Sequence, residues 1–422
     1  MTEATRAIEA VWRIESARLI AGLARMTRDL GLAEDLAQDA LVAALEKWPA
    51  TGVPENPGAW LMAAAKNRAI DLMRRDATYE RKREEIARET GALFAFERSE
   101  FEAAVEDEIG DDLLALIFTC CHPLLAREAR VALTLRLLGG LTTPEIARAF
   151  LARESAVAQR LVRAKKTLRE AQVPFEVPRG AELAERLPSV LEVIYLVFNE
   201  GYAASAGEDW IRTELCEEAL RLGRILAELA PGEPEVHGLV ALLEIQASRT
   251  RARLGPGGEP VLLLDQDRGR WDPLLIVRGR RALERAEALP GPLGPYGLQA
   301  AIAACHARAL RAEETDWIKI AALYDALSQI APSPVVELNR AVALGMAFGP
   351  AAGLELLDRI ADDPALSGYH LLPSVRGDLL AKAGRGEEAA AEFRRAAELT
   401  ANERERELLL SRAKRSKSRP NL

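Results

Sequence analysis

Between Leu141 and Arg169 the chain reads LTTPEIARAFLARESAVAQRLVRAKKTLR, and this stretch leaves little choice of local fold. Thr142 can cap a helix with Glu145 reaching back from three residues on, Pro144 suits the first turn, and Ile146, Ala147 and Phe150 supply an inner face. After a tight break at Leu151–Arg153, the recurrence of Val157, Leu161, Ala164 and Leu168 at three- and four-residue steps predicts a second helix. Six basic residues and one acid lie over Arg153–Arg169, so the other face of that helix is cationic. Such a pair has the makings of a helix-turn-helix. Ser155, Ala156 and Gln159, near the start of its second helix, are then expected to meet base edges in a major groove. Arg160, Arg163 and Lys166 would lie on bases or phosphates.

The rest of the chain favours helix as well. Ala, Leu, Glu and Arg dominate and aromatic residues make up only 5%, which points to an all-α protein. A length of 422 residues is too great for one core and predicts two to four domains. A first block, Ala7–Arg75, is split by the Pro/Gly-rich segment Pro49–Gly58. The charged run Asp76–Asp112 follows; its Glu97–Asp112 part holds eight acids against Arg98, and it reads as a flexible linker. A second helical block, Leu113–Val173, stops at Pro174, and some 250 residues of helix-length segments between Gly/Pro turns lie beyond it. The domains expected are 7–78, a linker over 79–110, 111–173 and 174–422.

In the last of these, Asp209-Trp210-Ile211 leads to Leu229-Ala230-Pro231 much as Asp316-Trp317-Ile318 leads to Ile330-Ala331-Pro332. This self-similarity suggests stacked helical hairpins, beside the alternative of an irregular helical domain without true repeats. The clearest is Leu371–Thr400, where Gly377, Ala389, Phe393 and Ala396 fall at the small and aromatic positions of a tetratricopeptide-like pair. The tail Ser411–Leu422 carries five basic residues and no acid, and reads as a solvated terminus.

Composition narrows the function classes. A net charge of −8 argues against coating nucleic acid indiscriminately, so any DNA contact must come from local patches. Four scattered cysteines, Cys120, Cys121, Cys216 and Cys305, and no apparent signal peptide suggest a reducing cytoplasm rather than a disulfide framework. No apolar run approaches the roughly 18 residues of a membrane span. Cys120-Cys121-His122 lacks the second cysteine pair of a tetrahedral metal site, and packing is its expected role. There is no phosphate-cradling glycine loop and no nucleophile elbow, so no cofactor is expected and catalysis is disfavoured.

The first block supplies the second half of the functional argument. AEDLAQDALVAALEKW at Ala33–Trp48, followed by NPGAWLMAAAKNRAIDLMRR at Asn56–Arg75, resembles region 2 of the extracytoplasmic-function sigma factors, and Asp111–Gln172 resembles their region 4. The resemblance implies that Asp35, Gln38 and Asp39 lie on the helix that docks on core RNA polymerase. It also implies that Trp60, Lys66, Asn67, Arg68, Asp71, Arg74 and Arg75 lie on the helix facing the minus-10 element. Lys66, Arg68, Arg74 and Arg75 suit phosphates, and the loop Val53–Gly58 suits a base flipped from a melted strand. Core packing and a role at melted DNA are about equally expected for Trp60. Where that family often has Thr-Val-Lys-Ser-Arg, this chain has Ala156-Val157-Ala158-Gln159-Arg160, so a different promoter preference is expected.

YLVFNEGYAAS at Tyr195–Ser205, LLLDQDRGRWD at Leu262–Asp272 and SPVVELNRAVAL at Ser333–Leu344 resemble the extension of a sigma subgroup with a tetratricopeptide-like C-terminal domain. Its members are encoded near small DGPF (YCII-related) proteins, which makes such a protein a candidate partner beside core polymerase and promoter DNA. Within the extension, Asn199, Glu200, Asp265, Asp267, Arg268 and His306 are the candidates for a ligand site or a buried polar network. The expected function is promoter recognition, melting and transcription initiation, with the extension regulating it through intramolecular or partner contacts. The rivals are an interaction scaffold, which co-purification with polymerase would separate from a sigma factor, and a helix-turn-helix repressor, which has no reason to carry the Ala33–Trp48 segment beside the Asn56–Arg75 segment.

Overall fold

The computed structural model describes residues 3–70, 108–150, 152–202, 211–400 and 402–417. Every regular element among them is helical, apart from isolated bridge positions such as the pair Leu254 and Pro260. The chain forms two compact units, Met1–Val193 and Ile194–Leu422. Asp71, Arg74, Arg75, most of the predicted linker and Asp209-Trp210 lie outside the described residues.

The first unit opens with α1 (Glu3–Thr27), α2 (Leu30–Thr51) and α3 (57–70). Asp29 starts α2 by accepting from the backbone N–H of Gly31 and Leu32 at 2.7 and 3.1 Å. Asn56 starts α3 by accepting from the Ala59 N–H at 3.0 Å. Both satisfy donors that a helix start leaves unpaired. Leu36, Ala37, Ala40 and Ala44 of α2 are buried, as are Leu61, Ala65 and Ala69 of α3. Small residues at these steps let the helices lie close.

α4 (Glu108–Cys120), α5 (Arg127–Leu137), α6 (Thr143–Ala149) and α7 (Glu154–Glu170) follow. Thr142 and Glu145 form the predicted reciprocal cap. The Thr142 N–H donates to Glu145 Oε2 at 2.7 Å, and the Glu145 N–H donates to Thr142 Oγ1 at 3.4 Å. The first part of α8 (Ala181–Tyr202) packs in this unit too: Arg186 Nη2 donates to the Phe118 carbonyl at 3.0 Å and Ser189 Oγ to the Cys121 carbonyl at 2.6 Å. Cys120 and Cys121 are buried, and burial pushes the Cys121 thiol up to about 11. Its Sγ lies 3.5 Å from Thr134 Oγ1.

The second unit is a succession of antiparallel-neighbour helices. They are α9 (Thr213–Leu229), α10 (Pro234–Ala247), α11 (Pro273–Ala288), α12 (Pro295–Arg308), α13 (Trp317–Ile330), α14 (Pro334–Phe348) and α15 (Pro350–Ile360). After these come α16 (Leu371–Lys382), α17 (Gly386–Leu399) and α18 (Glu403–Lys417). Consecutive pairs pack together, α10 on α11, α14 on α15 and α16 on α17. The two look-alike segments end alike: the Ala230 N–H closes α9 on the Leu226 carbonyl at 2.8 Å, and the Ala331 N–H closes α13 on the Leu327 carbonyl at 2.9 Å. Between α16 and α17, Gly377 lies beneath the Phe393 ring, and Ala389, Phe393 and Ala396 are almost fully buried.

α10 and α12 approach even more closely. A Cβ at Gly238 would stand 2.6 Å from the backbone nitrogen of Gly297, an atom that cannot swing aside. Gly238→Ala is therefore expected to destabilise the second unit by about 1–3 kcal/mol. Thermal unfolding followed by circular dichroism measures this, and an unchanged midpoint would mean that the two helices do not cross so tightly.

Candidate nucleic-acid and polymerase interfaces

α7 has two sharply different faces. Val157, Leu161, Ala164 and Leu168 are buried, while Ser155, Ala156, Gln159, Arg163 and Lys166 are exposed and Arg160 is half-buried. The predicted base-facing and phosphate-facing residues thus lie along one outward stripe, held by α5 and α6 packed behind. Lys166 also makes an exposed pair with Glu170 at 3.6 Å, worth little in water and readily given up to a phosphate. The stripe includes one residue that charge-based reading passes over: Val162, 62% exposed, is an apolar side chain suited to a thymine methyl group. It was detectable as the apolar residue of this helix that falls off the core period.

In α2 and α3 the candidates also lie on the surface. Asp35 and Asp39 are exposed and Gln38 half-buried on α2; Asn67 and Arg68 are exposed and Lys66 half-buried on α3. Val42 and Leu45, 51% and 42% exposed, continue the Asp35, Gln38, Asp39 face at helical spacing. That face therefore offers acids and apolar contacts together, the combination that suits a docking helix. Asp39 accepts from Arg68 Nε at 3.1 Å, so one candidate polymerase contact and one candidate DNA contact meet in a single exposed pair. Burial, and next the Arg25 guanidinium, lower the Lys66 ammonium below its ordinary value.

Trp60 is half-buried. Its ring meets the buried Trp48 edge-on, centroids 5.3 Å apart, and Lys47 Nζ stands 5.9 Å from its centroid. The indole is thus fixed by packing on Trp48 and remains partly exposed.

One residue beside this candidate docking face does something different. Glu34 is only 6% exposed, accepting from Arg136 Nε of α5 at 2.5 Å and from Lys165 Nζ of α7 at 2.8 Å. Burial pushes this carboxyl up, but Lys165 and Arg136 together outweigh it and hold the group below its ordinary value of 4.5. A second strap joins Arg169 Nη1 to Asp29 Oδ2 at 3.5 Å, on the carboxylate that caps α2. α2 is thereby tied to the helix-turn-helix through its N-terminal turns, while Asp35 and Asp39 stay exposed.

The extension candidates separate. Glu200 pairs closely with Arg212. Asp265 is exposed, and Asp267 caps a short 3-10 turn by accepting from the Gly269 N–H at 2.9 Å. Arg268 and His306 come together, Arg268 Nη1 donating to the His306 carbonyl at 2.7 Å. Asn199 is half-buried on α8. Among the described residues no three His, Cys, Asp or Glu side chains converge as metal ligands, and no helix is long and apolar enough to cross a membrane.

Comparison with known families gives three matches along the chain. Residues 14–78 match the model for Sigma-70 region 2, residues 115–168 that for Sigma-70 region 4, and residues 186–287 a family of unknown function, DUF6596. The chain is 44% identical over 385 residues to the uncharacterized protein R00370 of Rhizobium meliloti (strain 1021), covering 90% of this chain and 89% of that one. No solved structure matches.

Proposed function

Since the chain belongs to the sigma-70 family, as an extracytoplasmic-function-like sigma factor whose regions 2 and 4 precede a helical extension, we propose a residue-level division of labour in directing transcription initiation. It binds core RNA polymerase and promoter DNA and carries out no bond chemistry of its own. Asp35, Gln38 and Asp39, extended by Val42 and Leu45, form the polymerase-docking face of α2. α3, with Trp60, Lys66, Asn67 and Arg68, meets the minus-10 element, together with Asp71, Arg74 and Arg75 beyond the described residues. α7 reads the minus-35 duplex through Ser155, Ala156, Gln159, Arg160, Arg163 and Lys166.

The observation that carries this reading is the outward stripe of α7, mostly polar and basic with Ala156 and Val162 among its exposed residues, and backed by a wholly apolar core face. A helix presented in this way can enter a major groove without exposing the interior of its domain. The extension is read as a regulator of this activity and as the seat of any partner, a small DGPF-related protein included. The cytoplasm, where polymerase works, is the expected compartment.

The test is transcription by purified core polymerase from promoters selected out of a random-sequence library, with the full chain as the only sigma factor. Arg163→Ala with Lys166→Ala should weaken minus-35 binding at all sequences and reduce the salt slope of binding by about 2, while leaving association with core polymerase intact. A chain ending at Tyr202 should initiate at a rate different from the full chain. Failure of the full chain to bind core or initiate would sink the sigma assignments, and equal rates for the two chains would remove the regulatory role of the extension.

A further inference from the structure

The second unit gathers three guanidinium groups, Arg249, Arg253 and Arg268, around the rings of Tyr202 and Trp271. Arg249, just after α10, is 8% exposed; its guanidinium carbon lies 5.6 Å from the Tyr202 ring centroid and 5.7 Å from that of Trp271. Among the described residues its guanidinium makes no hydrogen bond or ion pair, and its Nε is sealed from water. Arg268 stacks on the same indole at 5.1 Å. Its Nη1 donates to the carbonyls of His306 and Ala309, both at 2.7 Å, and its Nη2 to Thr315 Oγ1 at 3.0 Å, whereas its buried Nε has no acceptor. Arg253 adds a third guanidinium, 3.5 Å over the Tyr202 ring and donating to the Tyr202 carbonyl at 2.6 Å. His306, 7% exposed, lies edge-on to Trp317 with centroids 5.2 Å apart, and among the described residues its Nδ1 has no partner.

Removing a guanidinium from water is costly unless an anion or a full set of acceptors replaces the lost hydration, and stacking on aromatic faces offsets only part of that cost. Among the described residues no carboxylate pairs with Arg249 or Arg268. Glu313 and Glu314 act on Arg268 only from beyond ion-pair distance, and Glu314 is paired with Arg311 at 2.6 Å. Asp267 and Asp272 are occupied in capping the Gly269, Leu274 and Leu275 N–H groups. The imidazole adds no charge of its own, because burial, and then Arg249 and Arg268, depress His306 to about 3.

We propose that this cluster is a binding site for a small oxyanion, carried on a phosphate- or carboxylate-bearing molecule, which seats on the uncommitted outer nitrogens of Arg249 beside Trp271. A planar guanidinium edge matches two oxygens of either group, and a site walled by indole and imidazole keeps that pairing away from competing water. Arg268, fixed by its three acceptors, is a positioning residue that adds field without moving. This inference is independent of the sigma assignments, since binding to the second unit is read without DNA or polymerase.

The experiment is calorimetric titration and thermal unfolding of the full chain with inorganic phosphate and, separately, acetate, at ionic strength held constant with sodium chloride. Saturable binding of either anion is expected, with a melting temperature that rises as the anion is added. Arg249→Met should weaken that binding at least tenfold and abolish the rise, Arg249→Lys should retain part of both, and exposed Arg280→Met should change neither. Preference for phosphate or acetate identifies the source of the oxyanion. If neither anion binds saturably, or if Arg249→Met binds as the unsubstituted chain does, the proposal is overturned. Should the Met variant not fold, Arg249→Lys decides, because undiminished binding there would equally overturn it.

Discussion

Glu34→Gln is expected to cost the first unit about 3–5 kcal/mol, the range for removing one partner of a buried ion pair. The substitution leaves the shape of the side chain nearly unchanged, so the loss comes from Arg136 and Lys165, which remain side by side on α5 and α7 with no anion between them. Urea unfolding of the full chain should show an earlier transition for this unit, with that of the second unit unmoved. The pH dependence carries a further sign. Because the carboxyl is held below its ordinary 4.5 in the folded chain, its contribution is complete above about 4.5 and is lost as pH falls through the lower folded value. The unsubstituted chain should therefore lose stability over that window more steeply than the Gln variant. Equal midpoints at neutral pH would mean that region 4 is not tied to α2 through this carboxylate.

Glu34 also shows where the sequence stops being legible. In AEDLAQDA it stands beside Asp35 and reads as one more solvated acid, because its two partners are 102 and 131 residues away. The same limit hid Arg249. In the run Ser248-Arg249-Thr250-Arg251-Ala252-Arg253 alternate basic residues look like surface charge, yet Arg249 and Arg253 turn inward while Arg251 stays exposed. Local features were legible. The Thr142–Glu145 cap, the core period of α7 and the burial of Ala389, Phe393 and Ala396 on α17 each depend on residues close in sequence or on a spacing that helix geometry imposes. Val42 and Val162 fall between these cases: their exposure follows from the same helical period, but only once the buried stripe is taken as given.

The second large effect is expected from Phe393→Ala, at about 3–5 kcal/mol and toward the upper end of that range. Phe393 is 1% exposed in a cluster with Leu380, Ala389, Ala390, Ala396, Ala397, Leu409 and Ala413. Most of these neighbours are alanines that cannot reach into a vacated space, and the floor beneath the ring is Gly377, where an added Cβ would lie 2.9 Å from two ring carbons. Arg412, whose guanidinium carbon is 4.3 Å from the ring centroid, would lose its aromatic face as well. Phe393→Leu keeps most of the volume and should cost less than half as much. The decisive comparison is the double variant. Gly377→Ala alone is destabilising because its methyl group meets the ring, but in the Phe393→Ala background the same methyl enters the cavity and should recover part of the loss. Thermal or urea unfolding of the four chains measures the coupling. Strictly additive losses would mean that the ring does not rest on Gly377, and the close packing of α16 on α17 would need another cause.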